Sequence, residues 1–278
     1  MKSLATIASV RRWRRSASTK VVLVPTMGAL HHGHEALIAY ARRIAGPRGA
    51  VLVSLFVNPT QFGPQEDFSN YPRPVAQDLA ACRRAGADAV FRPASAEIYA
   101  TDASVTVDER SLSTTLCGRS RQGHFSGVCT VVAKLFLISQ PTHAVFGEKD
   151  WQQLAIIRRM VRDLDFPIAI EGFPVVREPD GLAASSRNAY LTPAERLLAP
   201  QISVALAAAA HLQNPGAIVR AALRAVQKIP GARIDYIEAV EADTLAPLAD
   251  RKKAGRLAAA VFLGKARLID TSPLPARS

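Results

Sequence analysis

The chain has 278 residues, 49% of them hydrophobic, enough to bury a substantial core in one large domain or two smaller ones. No apolar run approaches the roughly 20 residues that a membrane-spanning helix needs, so the composition points to a soluble globular protein and against a spanning one. The net charge is +12, and its distribution matters more than its size.

No acidic residue precedes Glu35, so Lys2, Arg11, Arg12, Arg14, Arg15 and Lys20 open the chain unopposed. A second basic knot, Arg251, Lys252, Lys253 and Arg256, lies near the other end. Such clusters suit nucleic acid or anionic lipid, but a solvated face is the commoner reading. An acid-poor, Arg-rich opening resembles a transit peptide. The strand pattern KVVLVPT begins only a few residues after Arg15, however, and the segment is read here as part of the mature fold.

Apolar β-branched runs then alternate with helical patterns. Strands are expected over 21–24, 51–57, 87–91, 143–146 and 168–170, with helices over 34–44, 75–85, 127–138 and 151–161. That alternation predicts an α/β fold, a mostly parallel sheet with helices on both faces. Ligands of such sheets sit at the carboxyl ends of strands, so the loops that follow strands are the informative ones. From about residue 176 the texture changes. Thr192-Pro193-Ala194-Glu195 is a capping box with proline at the first helical position, opening one long Ala/Leu-rich helix. A second helix near Pro215 and strands over 234–240, 257–262 and 266–269 complete a smaller α+β unit, giving domains of 1–175 and 176–278. Cys82, Cys117 and Cys129 are odd in number and follow no disulfide or zinc spacing, which fits a reducing cytoplasm.

Four loops carry candidate chemistry. In VPTMGALHHGHEALI (24–38) a strand hands over to a helix through two glycines, with His31 and His34 at the first helical turn. Open backbone N–H groups, the positive dipole end and two imidazoles there suit an anion. A pair of helix-capping histidines without chemistry fits the same residues. A metal pair is less favoured, because no acidic third ligand lies near. FVNPTQFGPQEDFSNYPR (56–73) offers the amides of Asn58 and Gln61, suited to a small hydroxylated substrate. FGEKDWQQL (146–154) brings Lys149 and Asp150 to a helix start, with Gln153 a turn further on. REPDGLAASSRN (177–188) supplies Ser185, Ser186 and Arg187, donors that a triphosphate requires.

With PTMGALHHGH, FVNPTQF, YPR, GHFSGV, VAKLF, FGEKDWQQL and DGLAASSRN in this order, the chain resembles the pantothenate synthetase (pantoate-beta-alanine ligase) family, within the HxGH nucleotidylyltransferases. The resemblance implies a Rossmann-like domain, a small C-terminal lid and a homodimer. It implies ATP-dependent condensation of pantoate with β-alanine through a pantoyl adenylate, releasing AMP and pyrophosphate, with Mg²⁺ accompanying ATP. It assigns ATP contacts to Met27, Gly28, Ala29, Leu30, His31, His32, Gly33 and His34, with His34 the proton donor and His31 beside it on the phosphates. Further ATP contacts fall to Gly147, Glu148, Lys149, Asp150, Val176, Ala184, Ser185, Ser186 and Arg187, with Lys149 counted among the catalytic groups. Gln61, Gln153 and Asn58 would serve pantoate and β-alanine. Thr60 and Gln122 stand where the family commonly has methionine and proline. Two rivals are a nucleotidylyltransferase for a phosphorylated acceptor, which needs no paired amides, and a nucleic-acid module. The latter normally interleaves aromatic residues with its charges, and in the basic arm only Trp13 does so.

Overall fold

Val21, Val22, Leu23 and Val24 are all fully buried. Successive strand residues point to opposite faces, so this strand is covered on both sides. The computed structural model describes residues 1–17, 20–64, 66 and 68–277; Gln65 and Asp67 of the segment 56–73 lie outside the described residues. Six strands, β1 (Lys2–Leu4), β2 (Val21–Thr26), β3 (Ala50–Leu55), β4 (Ala89–Phe91), β5 (His143–Gly147) and β6 (Ala169–Phe173), form one sheet in the order β1-β4-β3-β2-β5-β6. Every pairing in it is parallel. On one face Val22, Val24, Val51, Val53, Val90 and Val145 pack with Ile38, Ala41 and Cys82 from the helices His32–Ala45 and Val75–Arg84. Val21 and Leu23 point to the other face, where the helix His124–Ser139 packs on β2 and the helix Ile7–Ser16 packs on it in turn.

The winding reverses between β2 and β5, the place where a doubly wound sheet opens at its carboxyl end. The loop after β2 therefore begins at that opening, and β5 ends there at Gly147.

The chain divides into two units. One comprises Met1–Arg110, Arg121–Gly147 and Ile156–Phe173, the other Ser111–Ser120, Glu148–Ala155 and Pro174–Ser278. Two short segments expected within 1–175 thus go with the second unit. That unit holds an antiparallel sheet, β7 (Ala232–Glu241), β8 (Gly255–Leu263) and β9 (Ala266–Leu274), in sequential order. Its core joins Leu257, Val261 and Leu268 of the sheet to Ile202, Leu206, Ile218 and Val226 of the helices Pro200–Ala210 and Pro215–Val226. No helix among the described residues is long and apolar enough to cross a membrane.

The basic opening belongs to the fold, as expected: it is strand β1 plus the helix Ile7–Ser16, which buries Val10 and Trp13 and carries its Thr6/Ser9 capping box. Two departures from the sequence reading have clear causes. The expected single helix after Thr192 is two, Pro193–Leu198 and Pro200–Ala210, because a second proline opens the second helix and has no N–H to continue the first. The knot at 251–256 is not a uniformly solvated face. Arg251 is 6% exposed and donates to the carbonyls of Ala210, Leu212 and Pro275.

Gly127 lies where the helix His124–Ser139 meets the turn Pro59–Gln61. A Cβ there would stand 2.5 Å from the carbonyl carbon of Thr60 and 2.7 Å from the backbone nitrogen of Gln61. Backbone cannot swing aside as a side chain can. Gly127→Ala should therefore lower the unfolding free energy by about 1 to 3 kcal/mol, the range for an overpacked site. A urea midpoint equal to that of the parent would show that the turn yields freely.

Candidate active site

The loop after β2 is a closed set of hydrogen bonds. Gly28 and Ala29 both have left-handed φ values, 89° and 50°. Gly28 N–H donates to Thr26 Oγ1 at 3.3 Å. The next two N–H groups, Ala29 at 3.0 Å and Leu30 at 2.7 Å, donate to the two carboxylate oxygens of Asp78. A Cβ on Gly28 would come within 2.9 Å of Asp78 Oδ2, so the glycine answers to the carboxylate as well as to φ.

The histidines continue the pattern. His31 is the N-cap of the helix His32–Ala45, and its Nδ1 accepts the Gly33 N–H at 3.1 Å. His34 Nδ1 accepts the His31 N–H at 3.4 Å, completing a capping box made of imidazoles, with ring centroids 4.1 Å apart. The N–H groups of His34 and Glu35 go to the His31 carbonyl. A neutral imidazole that accepts at Nδ1 carries its hydrogen at Nε2. Both tautomers are thereby fixed as Nε2–H donors. This revises the expectation of open backbone N–H groups facing an anion: the main chain from 28 to 31 is already bonded, and each ring carries its hydrogen at Nε2. The capping bonds orient the imidazoles, so a capping role and an anion-directed role are compatible in the same two residues.

Asn58 and Gln61 lie beside this loop, in the same unit. Gln61 is 9% exposed and donates to Met27 Sδ at 3.2 Å. Asn58, only 1% exposed, is used up internally. Its Nδ2 donates to Gln61 Oε1 and Gly127 O, and its Oδ1 accepts from Tyr99 Oη–H at 2.8 Å and Thr60 Oγ1–H at 2.9 Å. Asn58 thus orients Gln61, which is a different task from the substrate contact expected of it. Thr60 takes part through its hydroxyl, so its departure from methionine adds a polar bond to the scaffold.

Behind Gln61 stands a relay that the sequence reading missed. Glu66 pairs with Arg121 through both oxygens at 2.7 Å, Arg121 donates to His124 Nε2 at 2.8 Å, and His124 Nδ1–H donates to the Gln61 carbonyl at 2.8 Å. A guanidinium only donates, so it fixes the opposite tautomer to that of the loop histidines. Burial pushes the Glu66 carboxyl up, but the Arg121 hydrogen bonds and charge outweigh it and hold the group below the usual glutamate range.

In the second unit, Glu148–Asp150 forms a single turn. Glu148 pairs with Arg256 at 2.7 Å, whose guanidinium stacks 3.6 Å from the Trp151 ring, and Trp151 Nε1–H donates to Ala242 O. Lys149 Nζ stands 3.6 Å from Asp150 Oδ2. Of the adjacent glutamines, Gln152 is buried and bonds the backbone of Leu112, Thr115 and Cys117, whereas Gln153 is half-buried. Val176 O accepts the Ala184 N–H, closing the 176–184 loop, and Arg177 ties that loop to Asp270 at 2.8 and 3.0 Å and to Gly181 O. Ser185 caps the turn Ser186–Tyr190 through the Arg187 N–H. Met27 to His34, Asn58, Gln61 and Gly147 thus lie in the first unit, and Glu148, Lys149, Asp150, Gln153, Val176 and Ala184 to Arg187 in the second. Among the described residues no group of three or more His, Cys, Asp or Glu side chains is placed to hold a metal.

Residues 2–273 match the family model described as pantoate-beta-alanine ligase. The chain belongs to the pantoate-beta-alanine ligase family. Pantothenate synthetases of Akkermansia muciniphila and Oleidesulfovibrio alaskensis are 53% and 50% identical to it, over 91% and 94% of this chain and 92% and 94% of theirs. Among solved structures, the pantothenate synthetase of Thermus thermophilus is 43% identical with a TM-score of 0.91, covering 99% of this chain and all of that one. The pantoate-beta-alanine ligase of Francisella tularensis, solved with beta-gamma ATP and β-alanine, is 33% identical with a TM-score of 0.81, covering 98% and 97%. The ligase family accounts for the α/β fold with its added antiparallel sheet, and makes this chain an enzyme.

Because the Glu66 carboxyl titrates lower folded than unfolded, its stabilising contribution is fully present above the ordinary glutamate value of about 4.3 and is lost as pH falls through the lower, folded value. The stability difference between the parent and Glu66→Gln should therefore be constant near neutrality and shrink in acid, measured by urea midpoints across pH. A difference independent of pH would show that Arg121 does not hold the carboxylate.

Proposed function

We propose that the chain condenses pantoate with β-alanine in an ATP-driven reaction, through a pantoyl adenylate, with AMP and pyrophosphate as the other products. The observation that carries the mechanism is the pair of Nε2–H donors fixed at the start of the helix His32–Ala45. In the first step a carboxylate oxygen attacks the α-phosphorus and pyrophosphate leaves with the bonding pair. Two anions meet, so the site must supply donors and positive charge more than a protein nucleophile. His31 and His34 donate to phosphate oxygens as charge builds, and their backbone bonds hold the rings so that no reorientation is needed at the moment of reaction. Lys149, Asp150 and the Ser185–Arg187 segment carry the phosphate-directed roles that the resemblance implies, and Val176 the adenine contact. Gln61 retains a second amide hydrogen for the pantoate hydroxyls or carboxylate; Gln153 is the second amide. In the next step the β-alanine amine attacks the acyl carbon and AMP departs.

Magnesium enters this scheme as part of the substrate, Mg·ATP. The donor set among the described residues makes no protein cage, and Mg²⁺ characteristically rides on phosphate oxygens with few protein ligands. A cytoplasmic homodimer belongs to the same reading, supported by the family resemblance and by three buried, free cysteines that suit a reducing compartment. Light scattering of the purified protein tests the dimer.

Pyrophosphate release from ATP should require pantoate, and sustained turnover should require β-alanine as well. Release without pantoate, or with a phosphorylated acceptor in its place, would overturn the reading. Lys149→Ala should slow adenylate formation by a factor on the order of 10² to 10³, the scale for losing one preorganised donor. Near-parental turnover would make it an ordinary helix-start lysine.

A sharper test separates capping from chemistry at His31. Asparagine is among the best N-cap residues, so His31→Asn keeps the cap while removing the Nε2–H. Its melting temperature should stay close to that of the parent, while single-turnover adenylate formation falls on the order of 10²-fold. A normal rate in His31→Asn, with a slow one in His31→Ala, would reduce the histidine to a cap.

A further inference from the structure

We propose that Asp78, on the helix Val75–Arg84, is a positioning residue for the adenylation step, its carboxylate setting the Gly28–Leu30 turn from which the two imidazoles are aimed. The inference rests on the function proposed above and names a residue outside every motif that suggested it.

Asp78 is 3% exposed, yet neither of its oxygens meets a cation among the described residues. Each accepts one main-chain N–H, from Leu30 at 2.7 Å and Ala29 at 3.0 Å. Two consecutive left-handed residues, one of them alanine, are unfavourable for L side chains and persist only where surroundings over-determine them. Asp78 supplies that determination, and Gly28 leaves room for it. Its own placement is rigid. Leu79 and Cys82 pack against the core that includes Ile38 and Ala41, and Arg84 pairs with Glu35 at 2.7 Å, so the carboxylate and the histidine-bearing helix are fixed to one another. The turn leads directly into His31, whose N–H and ring close the imidazole capping box.

Stability alone does not account for a buried carboxylate here. Burial raises the Asp78 carboxyl, the Leu30 and Ala29 bonds only partly offset it, and the net shift is upward. For an acid shifted upward, the contribution to folding is most favourable below the unfolded value and is lost as pH rises through the folded one. Above that folded value the ionised group contributes less to folding than the protonated one, while its geometry serves the turn.

Asp78→Asn keeps the shape and one accepting oxygen but turns an NH₂ toward the other N–H. With the whole chain, adenylate formation from ATP and pantoate in a single turnover should fall about ten- to a hundredfold, as when a buried donor loses its acceptor. The chase of preformed adenylate with β-alanine should stay within about twofold of the parent, and the melting temperature should fall by no more than the loss of one buried acceptor brings. Amide exchange at Ala29 and Leu30 should accelerate while that of β2 and β3 does not. Normal adenylation in Asp78→Asn, or equal losses in both steps together with a lowered melting temperature, would overturn the proposal. So would a variant that does not fold, since the carboxylate would then serve the fold and not the turn. If the parent itself makes no pantothenate, the function reading fails separately, and amide exchange alone decides whether Asp78 sets the turn.

Discussion

A backbone N–H taken out of water has to find an acceptor. The turn after β2 lies at the carboxyl end of a buried parallel sheet, where the winding reverses and neither strand nor helix supplies one. Thr26, Asp78, His31 and His34 meet that demand in sequence, each with a side-chain atom. The usual way for a helix start to bind an anion is with its own open N–H groups. Here the Gly33 N–H goes to the His31 ring and those of His34 and Glu35 to the His31 carbonyl, and each imidazole that accepts at Nδ1 carries its hydrogen at Nε2. A histidine in this position accepts at one edge of a rigid ring and donates from the other, which an ionised aspartate cap cannot do.

The same device recurs with the opposite hand at Gln61. Arg121 fixes His124 by occupying Nε2, leaving Nδ1–H for the Gln61 carbonyl, and Glu66 completes the pair. In both places the ring's chemical state follows from a neighbour that can only donate or only accept. In the second unit the scaffold is ionic: Glu148 with Arg256 on Trp151, Asp270 with Arg177. Several of the cations that make the chain basic are therefore interior struts. Charge counted along the sequence overstates the charge presented to a ligand.

How far the sequence announces this depends on the kind of signal. The central strands are legible because both their faces are buried, which forces continuous apolar, valine-rich runs at 21–24 and 51–53. β1 is only three residues at the sheet edge, too short for a period, and the break at Pro200 was hidden by an unbroken Ala/Leu pattern. The histidines, Lys149 and the serine loop stood out by residue type. Asn58 did as well, yet its amide turns inward, because residue type says nothing about which way a side chain faces. Asp78 carried a signal of its own. It shares an i, i+3, i+4 stripe with buried Ala81 and Cys82, and an acid on an apolar stripe has a partner to find.

Such a site is difficult to hold together. A carboxylate shifted upward by burial and an alanine in the left-handed region both oppose folding. What they provide is a pair of donors whose direction is settled before any anion arrives, which matters when charge develops within a single bond-making step and the protein has no time to reorganise. The sheet makes this possible. A core covered on both faces, continuous from Val22 through Val53 to Val90, supplies the stability that lets strain be placed at its carboxyl end. The division is spatial as well as energetic: apolar strands carry the fold, and the polar turns at their ends are free to be specified by chemistry alone.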